Sequence, residues 1–354
     1  DQIRSILTRI AGIASPPVAE TVISAEAWAY RFRIDFEWSR AGRGLRLGLH
    51  RRGQAHAIVP IDRCHLISER ANRFARYLAA AASRLGLTAW DREKRTGFLR
   101  RASIQDARGS GEILLTLDTG RGEPQALKQL AEDLRAEFPR LAGVVRREID
   151  RGGRQVEISI VSGRDHLFEI VEGDRFMVPA GAFFQPNVHL SGTLRAMALS
   201  ALAPRTSETI LELFCGVGFL TRSLAPRVRE ITAVEGSREA VAAARVNLSG
   251  GSPGTARFLA GDVATLLPDL LEQTVWDAIV VDPPRTGLPR GTAERISAAG
   301  VGRLVYVSCD PATLARDLKI VMAGGAYRLI AVAPVDLFPQ THHVECVATL
   351  VRAS

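Results

Sequence analysis

The period of apolar positions divides this chain near residue 179. Over residues 30–38 the order Tyr-Arg-Phe-Arg-Ile-Asp-Phe-Glu-Trp alternates strictly, the period of a strand with one buried face. Residues 45–49 and 56–59 continue it between Gly- and Arg-rich turns, so 29–61 reads as a strand meander. Residues 68–85 shift to helical spacing, with Phe74, Leu78 and Ala82 on one face. Residues 97–104 and 112–117 read as strands, 124–138 as an amphipathic helix, and 156–161 with 166–171 as a hairpin. The first 15 or so residues read as a short helix. Strands and helices mix here without β-α-β alternation, which predicts an α+β domain over 1–178.

Beyond that point the pattern is different. Residues 190–202 are helical in spacing. Short apolar strands at 209–213, 230–234, 256–259, 278–281 and 304–307 then alternate with amphipathic helices. A last strand pair, 327–335 and 343–350, follows. Such alternation predicts an α/β domain over 179–354, with a doubly wound, mostly parallel, Rossmann-like sheet that binds ligands at the carboxyl ends of its strands.

Composition narrows the class. At 354 residues the chain is long enough for two cores, and 24% charged with 46% apolar residues is an ordinary globular balance. No apolar run approaches the roughly 18 residues of a membrane span, and no signal peptide is visible, so no membrane partner is expected. Four widely spaced cysteines without a CxxC pair suit a reducing cytoplasm. The net charge of +8 is concentrated: residues 1–100 carry 18 Lys and Arg against 9 Asp and Glu. Nearly all are arginine, whose planar fork suits phosphate oxygens. A polyanion such as RNA is the partner this implies, against an Arg-rich solvated face as the plainer explanation. The interleaved rings of Tyr30, Phe32, Phe36 and Trp38 offer stacking surfaces for bases, at least half of them turned to the domain's own core.

Candidate chemistry lies in the second half. Glu212-Leu213-Phe214-Cys215-Gly216-Val217-Gly218 ends one predicted strand and opens a helix, where glycines permit a tight turn and close approach of a ligand. The next strand ends in Glu235, placed to accept hydrogen bonds from a ribose diol. The third is followed by Asp262, within the reach of an adenine amino group, and the fourth ends in Asp282-Pro283-Pro284-Arg285. Polar groups at successive strand ends fit an adenosyl cofactor. The absence of a third glycine favours S-adenosylmethionine over NAD. The fifth strand ends in Tyr306-Val307-Ser308-Cys309-Asp310-Pro311, a thiol at a strand tip.

Together with Phe183-Phe184-Gln185-Pro186-Asn187, Asp282–Gly287 and the Asp336–Glu345 run, these segments resemble the RNA 5-methyluridine methyltransferase family. The likeness covers 179 to the end in order, and Tyr30-Arg31-Phe32-Arg33 and 51–64 resemble the family's central domain. It implies a class I methyltransferase domain that methylates C5 of a uridine in 23S rRNA or tRNA, here 23S rRNA, as a cytoplasmic monomer. It implies cofactor roles for Gln185, Phe214, Gly216, Glu235, Asp262 and Asp282. It implies Cys309 as the nucleophile and Glu345 as the base. The chemistry is coherent: C5 of uracil becomes nucleophilic once a thiolate adds to C6, and a base must then take the C5 proton. A uracil within a helix is out of reach, so the target is single-stranded or flipped.

The chain departs from the family pattern in three places. Phe219 and Asp310 stand where Asn is usual, which points to a lost amide contact to the cofactor and a fixed charge beside the thiol. Cys64 matches the fourth ligand of the family's [4Fe-4S] cluster without the other three; either the chain continues upstream of Asp1 or this branch dispenses with the cluster, and none is expected in this chain. Cys215 and Cys346 read as structural. Arg285 reads as a phosphate or base contact, or as the partner of an acid. Two other functions stay open on these residues: an RNA cytosine-C5 methyltransferase, which shares the thiol chemistry, and an RNA-binding protein that has lost catalysis.

Overall fold

The computed structural model describes residues 1–42, 44–249 and 256–353, and these form two units, 28–188 and 1–27 with 189–354. The chain starts with α1 (Gln2–Ile6) and a π-helical turn, Leu7–Ala11, closed by Gly12 in the left-handed region. This segment belongs to the second unit, a correction to the expected 1–178 domain. Its own apolar face is the reason: Ile3 and Leu7 are buried in one cluster with Leu314, Leu318 and Val321. Further on, Val18 and Val22 bridge to Val332 and Val335.

In the 28–188 unit the meander forms as β1 (Arg33–Ala41), β2 (Gly44–Arg51) and β3 (Gln54–Pro60). Then come α2 (Glu69–Arg84), β4 (Leu99–Asp106), β5 (Ile113–Thr119) and α3 (Pro124–Glu137). Helix α2 starts at Ser68, whose hydroxyl accepts from the Ala71 N–H, a capping bond that satisfies an otherwise orphaned donor. Its predicted face is the buried one, since Phe74, Leu78 and Ala82 are all fully buried. Strands β6 (Leu141–Ile149) and β7 (Gln155–Gly163) complete a seven-stranded sheet of order β3-β2-β1-β4-β5-β6-β7. All pairs are antiparallel except β5–β6, which α3 connects as a single β-α-β crossover.

The expected 156–171 hairpin does not form. β7 pairs with β6, and β8 (His166–Val171) pairs with β9 (Asp174–Pro179). The expected aromatic stacking surface does not form either. Tyr30, Phe32, Phe36 and Trp38 are each at most 2% exposed. They share one side of the chain with Ile34, and Phe36 and Trp38 pack in the core with Phe74 and Leu78. Several arginines of the basic segment pair with acids of this unit: Arg70 with Asp106, Arg73 with Glu137, and Arg92 with Glu37, which also pairs with Arg101.

The second unit continues with α4 (Ser191–Leu202), β10 (Thr209–Leu213), α5 (Thr221–Leu224), β11 (Glu230–Glu235), α6 (Arg238–Leu248) and β12 (Ala256–Ala260). Then follow α7 (Val263–Gln273), β13 (Ala278–Val281), α8 (Arg290–Ala299), β14 (Arg303–Ser308) and α9 (Pro311–Val321). β15 (Tyr327–Val335) and β16 (Glu345–Arg352) come last. The sheet order is β12-β11-β10-β13-β14-β16-β15, parallel up to β14 and antiparallel beyond. β10 and β13 are buried at every position, as expected of strands covered on both faces.

Candidate functional site

The order of the parallel strands reverses at β10, whose connection runs outward to β11 while β13 lies on its other side. Ligands of open α/β sheets bind outside the carboxyl ends at such a point. The loop after β10 carries Phe214 in the left-handed region at φ +64°, a strained position for a residue with a side chain. Gly216 and Gly218 follow at φ +55° and +80°. A Cβ on Gly216 would meet nothing within 4 Å, whereas one on Gly218 would sit 3.1 Å from the Ala244 Cβ. Gly216 therefore faces open space and Gly218 permits close packing on α6.

Glu235 caps this loop. Its Oε2 accepts from the Gly216 N–H at 3.1 Å and its Oε1 from the Ser237 N–H at 2.9 Å. A carboxylate has further lone pairs to offer, so the same group can hold the loop and a diol. Asp262 is exposed at the start of α7, where its Oδ1 accepts from the N–H and hydroxyl of Thr265. Asp282 directly follows β13, and its N–H donates to the Leu213 carbonyl, so the ends of β10 and β13 are stitched together. An open glycine face with carboxylates at neighbouring strand ends fits an adenosyl cofactor. Gln185 is buried in the 28–188 unit, between β9 and α4.

Cys309 and Glu345 are brought together by strand register. β14 pairs with β16 antiparallel as far as Ser308 opposite Cys346, so Cys309, just after β14, and Glu345, at the start of β16, lie at the same end of this pair. Cys309 is half-buried, while the other three cysteines are buried. Burial, then the Glu345 carboxylate, pushes its thiol up to about 11; Arg285 pulls it down and Asp282 pushes it further up. Burial, then Asp282, also holds Glu345 well above the usual carboxylate range, again opposed by Arg285. Asp310 has a different task from the one its charge suggested. Its Oδ1 accepts from the N–H groups of Ala312 and Thr313 at 2.9 Å, the N-cap of α9. Phe219 is buried with the Arg195 guanidinium 5.6 Å from its ring centre.

Some participants were not anticipated. Glu212 is buried in β10, accepts from the Thr221 hydroxyl at 2.6 Å, and is raised to about 8, mainly by burial. An acid inside the apolar run Thr-Ile-Leu-Glu-Leu was the available signal. Asp317 is fully buried on α9, and its place on the stripe of Leu314, Leu318 and Val321 was the corresponding hint. Cys64 is the only cysteine of its unit, with its backbone paired to the Asn72 amide. Among the described residues no cluster of three or more metal-ligating side chains forms.

This sheet order, five parallel strands flanked by an antiparallel pair, with a glycine loop after the first strand, defines a Rossmann-like methyltransferase domain. The pattern of the tRNA (Uracil-5-)-methyltransferase family matches residues 107–255 and 266–353. An uncharacterized RNA methyltransferase of Gloeobacter violaceus is 35% identical over 99% of this chain and 77% of its own. One from Nostoc sp. is 32% identical over 99% and 76%. The crystal structure of Pyrococcus abyssi tRNA (uracil-54, C5)-methyltransferase in complex with S-adenosyl-L-homocysteine shares the fold, with a TM-score of 0.76 at 24% identity over 99% of this chain and 82% of that one. The chain belongs to the tRNA (Uracil-5-)-methyltransferase family and is an RNA (uracil-5-)-methyltransferase.

Proposed function

We propose that this enzyme methylates C5 of a specific uridine through a covalent adduct between Cys309 and C6, with Glu345 as the base. The observation that carries this reading is that Cys309 and Glu345 lie at the same end of the β14–β16 pair, near enough for the carboxylate to act on the thiol. Cys309 Sγ, as thiolate, bonds to C6 and makes C5 nucleophilic. Phe214, Gly216, Glu235, Asp262 and Asp282 would hold S-adenosylmethionine, which would supply the electrophilic methyl group to C5. Glu345 takes the C5 proton, the C6–S bond breaks, and the double bond and thiolate return. A buried carboxylate raised well above its usual range is a strong base for that proton. Arg285 favours the anionic forms of both groups, the role of acid partner among those its sequence left open.

RNA is held in part by the 28–188 unit on this reading, through arginine contacts to phosphate. The sequence favours 23S rRNA as target, whereas the family's description and the Pyrococcus protein name tRNA. Mass mapping of 5-methyluridine in both RNAs from a deletion strain decides between them. The test of the mechanism is methyl transfer from labelled S-adenosylmethionine to unmodified RNA. Cys309→Ala is expected to abolish it, and full turnover in that variant would overturn the covalent route. A 5-methylcytosine product would favour the cytosine enzyme, and no product from the native protein would favour a binding protein.

A further inference from the structure

The loop between β13 and α8 carries Asp282 and Arg285 and turns at Gly287, whose φ is +73°. A Cβ there would lie 2.4 Å from Asp317 Oδ2, so the turn is pressed against a buried acid. Asp317 Oδ2 accepts from the Leu288 N–H at 2.7 Å and from the Tyr306 hydroxyl at 2.6 Å. Its Oδ1 accepts from Arg316 Nε at 2.8 Å. Arg316 Nη2 reaches back to the carbonyls of Thr286 at 2.9 Å and Leu288 at 3.1 Å. The loop is thereby tied to α9 and to β14, the elements on either side of Cys309. The Arg285 side chain itself is exposed and its charge acts on the Cys309 thiol, so the course of the loop backbone bears on that action.

We infer that Arg316 and Asp317 are positioning residues, which fix the 282–288 loop so that Arg285 and Asp282 stand at set distances from Cys309 and Glu345. The inference rests on the reading of Cys309 as nucleophile. The charged groups that act on Cys309 are Glu345 from β16 and Arg285 and Asp282 from the loop, and Arg285 outweighs Asp282. Asp310, on the thiol's own element, is turned to the α9 amides. Asp282 is also held by its bond to Leu213, so loosening the clamp releases Arg285 first and makes the thiolate harder to form.

The test is the rate of Cys309 alkylation by iodoacetamide against pH, followed by peptide mass spectrometry on the full chain. Arg316→Ala, at a half-exposed side chain, is expected to move the midpoint up by about half a pH unit. Tyr306→Phe moves it the same way by less. Arg295→Ala, an exposed control on α8, leaves it unchanged. In methyl transfer the Arg316→Ala variant is expected to lose about threefold in kcat at neutral pH, in step with its thiolate fraction, with KM for S-adenosylmethionine unchanged. An unchanged midpoint in an Arg316→Ala protein that melts as the native one does would overturn the inference. Turnover by Cys309→Ala would instead sink the mechanism, while the alkylation midpoint would still report on the clamp.

Discussion

At the scale of single residues, the acids that act on the Cys309 thiol are Glu345, at the start of β16, and Asp282, just after β13. Glu212 lies inside β10, and burial is the largest influence on Glu345, Glu212 and Cys309. Replacing Glu345 with Gln keeps the shape and removes the base, so the methylated adduct has no route to eliminate. Glu345→Gln is therefore expected to accumulate a covalent protein–RNA species, seen as a slow band on a denaturing gel. Glu212 has a consequence for stability. Its carboxyl is raised from 4.5 to about 8, so at pH 6 the folded chain holds a proton that the unfolded chain releases. The contribution is fully present below the unfolded value and is lost as pH rises through about 8. Denaturation midpoints are expected to fall across that window in the native protein and less steeply in Glu212→Gln. Asp310 acts through its helix: Asp310→Ala is expected to cost about 1 kcal/mol by loss of the cap, and Asp310→Asn to retain most of it, as read from thermal melts.

At the scale of elements, the loop after β10 depends on two left-handed glycines of unequal freedom. Gly218→Ala forces a methyl group against Ala244 in a backbone region that alanine avoids. It is expected to weaken S-adenosylmethionine binding at least tenfold in a calorimetric titration, on the order of 1.4 kcal/mol of the backbone strain involved. Elements were legible where one period ran uninterrupted: α2 and the five parallel strands appear close to their expected limits, and β1 forms three residues later than the 30–38 alternation. β6 was not, because Arg146, Arg147 and Glu148 break its alternation, and its absence misassigned β7 to β8. The aromatic stripe of 30–38 was read in the right period but given a second role; a period marks two faces without saying that a core covers all of one of them. The motifs supplied both candidate reacting groups, Cys309 and Glu345. Their predicted strand regions were compatible with convergence, but the place of β16 beside β14 in the sheet was not visible.

At the scale of the molecule, residues 28–188 are an insertion within a unit built from both sides of it. The N-terminal segment lays 17–22 along β15: Ala19 N–H donates to the Val332 carbonyl and Val22 N–H to that of Pro334. That covers an edge strand otherwise open to pairing with other chains. Leu7, fully buried, anchors it, and Leu7→Ala is expected to cost about 2–5 kcal/mol, measurable by denaturant unfolding. Asp317 and Arg316 also belong to this scale. Their partners lie some thirty residues away at Thr286 and Leu288, a separation over which no sequence period reports.

β16 lies between β14 and β15, yet it is made after both of them. At about 5–20 residues per second, the ribosome spends roughly twenty seconds to a minute between Leu7 and the strand that completes the sheet beneath it. For only the last 36 residues of that interval, about 2–7 seconds at the same rate, the thiol at 309 exists before the carboxylate at 345 has been added. A nascent chain on this plan holds the proposed nucleophile without the proposed base, and the pair is complete only when the final strand enters the gap left for it.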